Sequence, residues 1–290
     1  MTAAHSERAW AKINLGLKVL GPRGDGYHNI CSVFLTVDLA DDLHFRQVGA
    51  SNRLISSDVM LPVDDGNLVI KALKLFQQEV GNEGPREIRL KKKIPVGAGL
   101  GGGSADAAAV LRGMSHLHCG RFDPDWLRTL GSRLGSDVPF LVNGGCALVR
   151  GRGEEITPMV PKGDLFFVLS YPGVHIRTSW AYAHIQPSLT VPSVYLKFCN
   201  SLSGGCVELW DLCSRLENDF QPIVERAYPI VADLGKKLSD AGAIFRSMSG
   251  SGSCIFGVFE DRSVAWSAAN ELQAEGFRSF LCQPVNPSLI

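Results

Sequence analysis

Two stretches near the start of the chain alternate between apolar and polar positions. In residues 9–19 the apolar positions are Ala9, Ala11, Ile13, Leu15, Leu17 and Val19, and the opposite positions are Trp10, Lys12, Asn14, Gly16 and Lys18. This alternation predicts a strand with one buried face. Lys12 and Asn14 share the other face, about 7 Å apart, and from this strand alone the simplest interpretation is that solvent covers them. Residues 31–39 predict a second strand in the same way.

Helices and strands are predicted along the rest of the chain. Helical spacing over residues 69–80 follows a capping segment, and residues 88–93 alternate as a strand that ends at Pro95. In the second half we predict strands at 165–170, 243–248, 254–259 and 277–282, and helices at 209–220, 230–238 and 264–272. The β-α-β ending predicts a ferredoxin-like α+β domain. The pattern changes around residues 159–165, so we predict two domains, residues 1–160 and residues 161–290.

A glycine-rich segment joins the strand at 88–93 to an alanine-rich helix that runs to about Leu117. Residues 97–103 contain five glycines, and Ser104 follows them. Glycine lets the backbone approach a ligand closely, and a helix N-terminus presents unpaired N–H groups. Together they predict a phosphate-binding loop, with the Ser104 hydroxyl in reach of a phosphate or its Mg²⁺. The Walker A pattern, GxxxxGK followed by Ser or Thr, is absent from this segment. A flexible linker is disfavoured, since a strand and a helix frame the glycines.

Three other segments carry candidate chemistry. Tyr27 and His28 end a loop rich in glycine, and two adjacent rings with polar tips suit stacking on a flat group and bonding to its edge. Asp137 stands two residues before Pro139, a pattern that is also a helix-start signal, so capping is its simplest interpretation. The small residues at 249–253 could form an anion nest or a plain hairpin turn.

Composition narrows the functional class. The 290 residues are 45% hydrophobic and 20% charged, which is typical of a globular protein with a core. Lys plus Arg and Asp plus Glu both number 29, and zero net charge argues against a general nucleic-acid binder. No apolar run reaches the roughly 20 residues that span a bilayer. The eight cysteines form no CxxC pair. We therefore expect a cytoplasmic protein with neither a nucleic-acid nor a membrane partner.

Three motifs together resemble the GHMP kinase superfamily: residues 12–15 (KINL), the glycine loop at 95–109, and the loop at 249–253. The resemblance covers nearly the whole chain. It implies the GHMP kinase fold, an α+β architecture whose N-terminal α/β domain is of a kind also found in a ribosomal protein and whose C-terminal domain is ferredoxin-like. It implies ATP as cosubstrate with Mg²⁺, and an alcohol acceptor. The element Asp25-Gly26-Tyr27-His28 further resembles the branch whose small-molecule substrate carries a cytidine diphosphate group.

The resemblance also implies roles for individual residues. The catalytic pair would be Lys12 and Asp137. The substrate-binding residues would be Asn14, Tyr27, His28, Thr178 and Tyr182, with the two DGYH rings holding cytosine. The ATP-binding residues would be Asn67, Leu68, Lys92, Pro95, Val96, Gly97, Ala98, Gly99, Leu100, Gly101, Gly102, Gly103, Ser104 and Ala105. It does not identify the residues that bind Mg²⁺, and we expect a monomer or weak homodimer.

Other functions remain open from the sequence. Within the superfamily, a homoserine or mevalonate kinase is the main alternative. A nucleotide-binding module without catalysis is another, although Lys12, Asn14 and Asp137 are all present. An RNA-binding domain is a third, and zero net charge argues against it.

Overall fold

A long antiparallel hairpin organises the first half of the chain. The computed structural model describes residues 5–81, 84–120, 122–185, 202 and 205–285. The hairpin strands are β1 (His5–Pro22) and β2 (His28–Gln47); the same sheet contains β3 (Arg53–Ser56), β4 (Arg86–Lys91), β5 (Cys146–Gly151), β6 (Glu155–Lys162) and β8 (Cys206–Glu208). The order of this seven-stranded sheet is β3-β4-β2-β5-β6-β8, with β1 paired to β2.

Four helices accompany this sheet: α1 (Leu68–Val80), α2 (Gly102–Leu117), α3 (Pro124–Ser132) and α4 (Val138–Asn143). The predicted capping segment before α1 is confirmed, because the Asn67 side chain accepts a hydrogen bond from the Val69 N–H at 2.9 Å. The alanine-rich helix α2 packs against β1 and contacts α1 and α4. Gly113 lets α2 approach the sheet, since a β-carbon there would lie 2.7 Å from the Phe45 ring.

The second sheet has the predicted ferredoxin-like topology. Its strands are β7 (Phe166–Tyr171), β9 (Phe245–Met248), β10 (Ile255–Phe259) and β11 (Arg278–Cys282), in the antiparallel order β11-β7-β10-β9. The helices of this half are α5 (Thr178–His184), α6 (Leu209–Arg215), α7 (Gln221–Ala227), α8 (Pro229–Asp240) and α9 (Arg262–Ala274). Along β7, Phe167 and Leu169 join the larger core, whereas Val168 joins a smaller core with α8 and α9. Both faces of the strand are therefore buried, which explains its continuous apolar sequence.

Two sequence predictions differ from the structure. The strand over residues 9–19 is buried on both faces, so the prediction of one solvated face is wrong: Lys12 is 4% exposed and Asn14 1%. The single helix predicted over 209–220 is also wrong, because α6 ends at Arg215. Asn218 breaks it: its side chain donates to the carbonyl oxygens of Met248 and Gly250, while its Oδ1 accepts from the Phe220 N–H.

The first sheet extends past the predicted domain boundary. Strand β8 comes from residues 206–208 and pairs with β6, so residues from both predicted domains share this sheet. The boundary at residue 160 stays a prediction. Within the described residues, no helix has both the length and the apolar character needed to cross a bilayer.

Candidate active site

One cleft of about 970 Å³ gathers almost all the residues that the sequence predicted. It is lined by the whole glycine loop from Pro95 to Ser104 and by Lys12, Asn14, Tyr27, His28, Asn67, Leu68, Lys92, Asp137, Thr178 and Tyr182. The exception is Ala105, which is 1% exposed and packs behind the loop. Residues that are far apart in the chain thus surround a single volume, as a two-substrate reaction requires.

The glycine loop turns its carbonyl groups toward the protein. The oxygens of Ala98, Gly99 and Leu100 accept hydrogen bonds from the Cys254 N–H at 3.1 Å, the Ser249 hydroxyl at 2.9 Å and the Lys12 N–H at 3.1 Å. Three of its glycines, at positions 97, 99 and 101, have φ of 69°, 79° and 69°, a region that side chains disfavour. This conformation requires glycine, which explains the composition of the loop.

The N-terminus of α2 faces the cleft with free donors. Gly101 caps the helix in a left-handed conformation, and its carbonyl accepts from the Ala105 N–H at 2.8 Å. The N–H groups of Gly102, Gly103 and Ser104 find no acceptor among the described residues. Three unpaired N–H groups at the positive end of a helix form an anion site. Ala105, by contrast, uses its N–H within the helix and does not line the cleft.

Lys12 and Asp137 meet in the cleft close to the start of α2, since a β-carbon at Gly101 would lie 3.1 Å from the Lys12 side chain. The Lys12 Nζ lies 3.4 Å from the Asp137 Oδ2 and 4.5 Å from the centroid of the Phe34 ring. Asp137 precedes α4, but its carboxylate makes no capping hydrogen bond within the described chain. The capping interpretation is therefore wrong, and the carboxylate, 29% exposed, remains available to a ligand.

A hydrogen-bond chain fixes the orientation of Asn14. The Ser32 hydroxyl donates its single proton to the Gly16 carbonyl at 2.5 Å, so its oxygen must accept from the Asn14 amide nitrogen at 2.9 Å. The Asn14 oxygen then points at the Lys12 Nζ, 2.5 Å away. Asn14 thus lines the cleft and holds the lysine ammonium at the same time.

A buried ionic cluster lies beneath the glycine loop. The Lys92 Nζ donates to Asp41 at 2.5 Å and to Asp106 at 2.8 Å, and all three side chains are at most 6% exposed. Burial by itself would lower the pKa of Lys92, but the charges of Asp106 and Asp41 outweigh it and raise that pKa. Burial also raises the pKa of Asp106 to about 8, with Lys92 opposing the shift and Asp41 adding to it. Lys92, rather than Lys91 or Lys93, is therefore the lysine that reaches the cleft.

Aromatic side chains line the part of the cleft near Asp137. The His28 ring stacks on Tyr182 at 4.8 Å, and Tyr182 meets Phe220 edge-on at 4.9 Å. Tyr27 is 52% exposed, and its ring lies 5.3 Å from the Arg152 guanidinium carbon. Burial, helped by the charge of Asp137, raises the pKa of Tyr182 to about 12, so its hydroxyl stays protonated at neutral pH. We call Tyr27, His28, Tyr182 and Phe220 the aromatic wall.

The segment at 249–253 closes the cleft from the second half of the chain. Gly250, Ser251 and Gly252 line the cleft, and the Ser251 hydroxyl lies 3.1 Å from the Thr178 hydroxyl at the start of α5. The Ser249 hydroxyl lies 3.2 Å from the Asn14 N–H, which donates to it. The loop therefore joins the glycine loop, β1 and α5 in one structure.

Sequence reasoning missed several residues of the cleft. Asp106 is the clearest, because a lone carboxylate in an alanine-rich first turn was a signal that could have been used. Asp41, which is fully buried and holds Lys92 without lining the cleft, follows the alternating strand and gave no comparable signal. The charged lining residues are Lys12, Lys92, Arg152 and Arg177 against Asp106 and Asp137. The cleft is thus cationic in a chain of zero net charge, which suits a polyphosphate ligand.

Comparison with known proteins gives consistent relatives. Residues 67–145 match the model of the GHMP kinases N-terminal domain, and residues 203–278 match the GHMP kinases C-terminal model. A 4-diphosphocytidyl-2-C-methyl-D-erythritol kinase from Chlorobium limicola is 39% identical over 281 residues, 96% of each chain. A crystal structure of 4-(cytidine 5'-diphospho)-2C-methyl-D-erythritol kinase superposes with a TM-score of 0.80 at 32% identity, covering 97% of this chain and 100% of that one. Homoserine kinase from Cytophaga hutchinsonii, with a TM-score of 0.72 and 22% identity over 97% and 95% of the two chains, shares the fold.

Proposed function

The chain belongs to the 4-diphosphocytidyl-2-C-methyl-D-erythritol kinases of the GHMP superfamily, and from this premise we propose how its cleft performs the reaction. The enzyme uses ATP to phosphorylate the 2-hydroxyl of 4-diphosphocytidyl-2-C-methyl-D-erythritol in non-mevalonate isoprenoid synthesis. The observation that carries the proposal is the Lys12–Asp137 pair, 3.4 Å apart, beside the unpaired N–H groups of α2.

Asp137 acts as the general base. Its carboxylate accepts the proton of the 2-hydroxyl, the hydroxyl oxygen forms a bond to the γ-phosphorus, and the bond from that phosphorus to the β–γ bridging oxygen breaks to release ADP. Phosphoryl transfer of this kind depends mainly on positioning and charge stabilisation. The absence of a capping bond at Asp137 within the described chain supports this role, because the carboxylate has no structural task at the helix start.

Lys12 supplies positive charge at the point of attack. Its ammonium makes the substrate hydroxyl more acidic and stabilises the negative charge that develops on the transferred group. Asn14 keeps the ammonium in place through its 2.5 Å hydrogen bond and orients the substrate on the same side of β1. The burial of both side chains supports a preorganised pair, since water cannot easily reorient it.

ATP binds along the glycine loop with its phosphates on the N–H groups of Gly102, Gly103 and Ser104. Adenine lies toward Asn67 and Leu68. The Asn67 side chain is used for the cap of α1 and for the Pro62 carbonyl at 2.6 Å. Its backbone N–H donates to the Asp64 carbonyl and its carbonyl accepts from the Lys71 N–H, each at 3.0 Å, so Asn67 shapes the adenine site by packing.

Mg²⁺ bound together with ATP would neutralise charge on the phosphates. Two oxygen donors in the first turns of α2 fit such an ion: the Ser104 hydroxyl and the Asp106 Oδ1. The Oδ1 is buried without a hydrogen-bond partner among the described residues, and hard oxygen ligands suit Mg²⁺.

The aromatic wall holds the cytosine of the acceptor. Tyr27 and Tyr182 provide ring faces for stacking, and His28 provides a polar edge within the same group of rings. Thr178, at the start of α5, contacts the remainder of the substrate. The proposal includes a cytoplasmic site of action, which cell fractionation tests. It also includes a monomer or weak homodimer, which size-exclusion chromatography of the purified chain tests.

The assignment is tested by acceptor-dependent ADP formation in a coupled assay. The purified chain with ATP and Mg²⁺ is supplied with the cytidine substrate, homoserine, mevalonate or no acceptor, and phosphorus NMR locates the new phosphate. We expect turnover with the cytidine substrate alone and a phosphate on the 2-hydroxyl. Turnover with homoserine or mevalonate would identify another GHMP kinase, and ATP binding without turnover on any acceptor would identify a silent nucleotide-binding module.

A further inference from the structure

A second cluster of ligand atoms lies at the other end of α2, away from the cleft. The His5 Nε2 lies 2.7 Å from the Glu7 Oε1, and the His116 Nδ1 lies 2.6 Å from the same oxygen. All three atoms fall within 4.8 Å of one another. His5 and Glu7 share one face of β1, and His116 belongs to the last turn of α2. The three side chains therefore converge from two different elements.

The donor set suits a late first-row divalent cation. A carboxylate oxygen can only accept, so in the metal-free arrangement each imidazole donates a proton to Oε1. A cation replaces those protons, with metal–nitrogen and metal–oxygen distances of about 2.0–2.2 Å and ligand atoms about 3.3 Å apart in a tetrahedral site. The two contacts with Oε1 need to open by about 0.6–0.7 Å, and the two imidazole nitrogens, which lie within 4.8 Å of each other, need to approach by at most about 1.5 Å. Two imidazoles and one carboxylate leave a fourth position for water, and imidazole favours Zn²⁺ over Mg²⁺.

The surroundings permit such a site. The His116 side chain is 54% exposed, so an ion can enter from solvent and the ring has room to turn. Glu7 is 10% exposed, and its other oxygen, Oε2, lies 3.5 Å from the Arg112 Nε. Arg112 in turn donates to the carbonyls of Leu141 and Arg8. Arg112 therefore positions Glu7 through Oε2, while Oε1 faces the two histidines.

We propose that His5, Glu7 and His116 form a Zn²⁺ site that clamps β1 to the C-terminal end of α2. The clamp joins the strand that carries Lys12 and Asn14 to the helix whose first turn forms the anion site. Its effect is structural, because the cluster lies outside the residues that line the cleft. Zn²⁺ binding then stabilises the native arrangement of these two elements by mass action.

The test uses the tag-free full chain, stripped with EDTA and titrated with zinc chloride against a chromogenic chelator. Cys119 and Cys206, two exposed thiols, and Cys199, which lies outside the described residues, are replaced by serine in every sample so that these thiols cannot bind the ion. We expect one Zn²⁺ per chain and, at about one hundred times Kd, a rise in Tm of about 5 °C. Magnesium chloride at the same concentration should not produce this rise.

Three variants separate the site from adventitious binding. His116→Asn and Glu7→Gln should each weaken Zn²⁺ binding at least about 30-fold, since each removes a ligand. His44→Asn is the matched control: His44 is exposed on β2 and contacts Ser6, on the opposite face of β1, so binding should be unchanged.

Two results would overturn the proposal. One is that the cysteine-to-serine protein, which keeps His5, Glu7 and His116, binds no Zn²⁺. The other is unchanged affinity in folded His116→Asn, which is informative even if Glu7→Gln loses its contact with Arg112 and unfolds.

Discussion

Replacing Asp137 with asparagine separates catalysis from stability. The variant keeps the shape of the side chain but cannot accept the proton of the substrate hydroxyl. We expect kcat to fall by a factor of about 10² or more, equivalent to about 2.7 kcal/mol in the activation barrier. The KM for ATP should change little, because the carboxylate lies at Lys12 and not at the N–H groups of the glycine loop.

The structure also limits the expected loss of stability. The Asp137 carboxylate makes one ion pair, at 3.4 Å, and is 29% exposed. A partly exposed pair contributes about 1 kcal/mol or less, and that corresponds to a Tm shift of no more than about 2–4 °C. Steady-state kinetics and calorimetry on the same preparation measure both quantities.

Asp123 provides the matched control. It also precedes a helix, α3, and its side chain accepts from the Trp126 N–H at 2.7 Å, so it does cap. Asp123→Ala should lower Tm by about 2–4 °C through loss of a cap worth about 1 kcal/mol, with kcat unchanged. If Asp137→Asn instead behaved like this control, with near-normal turnover and a lower Tm, the assignment of Asp137 as the base would be refuted.

Three further predictions concern the loop, the aromatic wall and the buried cluster. Gly101→Val should raise the KM for ATP at least about 10-fold in steady-state assays, since φ is 69° and a β-carbon would lie 3.1 Å from the buried Lys12 side chain. Gly103→Val should raise this KM less, because the nearest atom to a β-carbon there is 3.7 Å away. Unchanged ATP affinity in a folded Gly101→Val would make the loop a connector. His28→Ala should reduce the preference for the cytidine substrate over its uridine analogue, measured as the ratio of the two kcat/KM values. Tyr27→Leu should lower kcat/KM for both substrates about equally. If His28→Ala kept the full preference, backbone groups rather than His28 would recognise cytosine. Burial raises the pKa of Asp106 to about 8, so the stability it contributes when protonated is lost as the pH rises from about 4 to about 8. The Tm of metal-free Asp106→Asn should therefore fall less than that of the wild type between pH 6 and pH 9, and parallel curves would contradict a buried, protonated Asp106.

Elements that depend on consecutive residues could be predicted from the sequence. The alternation in residues 9–19 and 31–39 marks β1 and β2, and the helical spacing after Asn67 marks α1. Period and capping are local properties, so a single segment contains the information. The glycine loop was predictable for the same reason, since its left-handed positions accept few residues other than glycine.

Features that depend on distant partners could not be predicted from residue patterns. The break after α6 follows from Asn218, which bonds to carbonyls about thirty residues further along the chain. The helical spacing around it gave no indication of those partners. Asp137 is similar: its position before Pro139 is that of a cap, and the family resemblance, rather than the pattern, assigned it to catalysis.

The sequence by itself determined β1, β2, the start of α1 and the glycine loop, because each is encoded in neighbouring residues. Tertiary structure decided that Lys12 and Asn14 are buried, since the glycine loop and the 249–253 loop cover the face of β1 that alternation alone assigns to solvent. It also placed Lys92 between Asp41 and Asp106, three residues from separate elements. A pattern along one strand shows which side chains share a face, but the packing of other segments decides what that face meets.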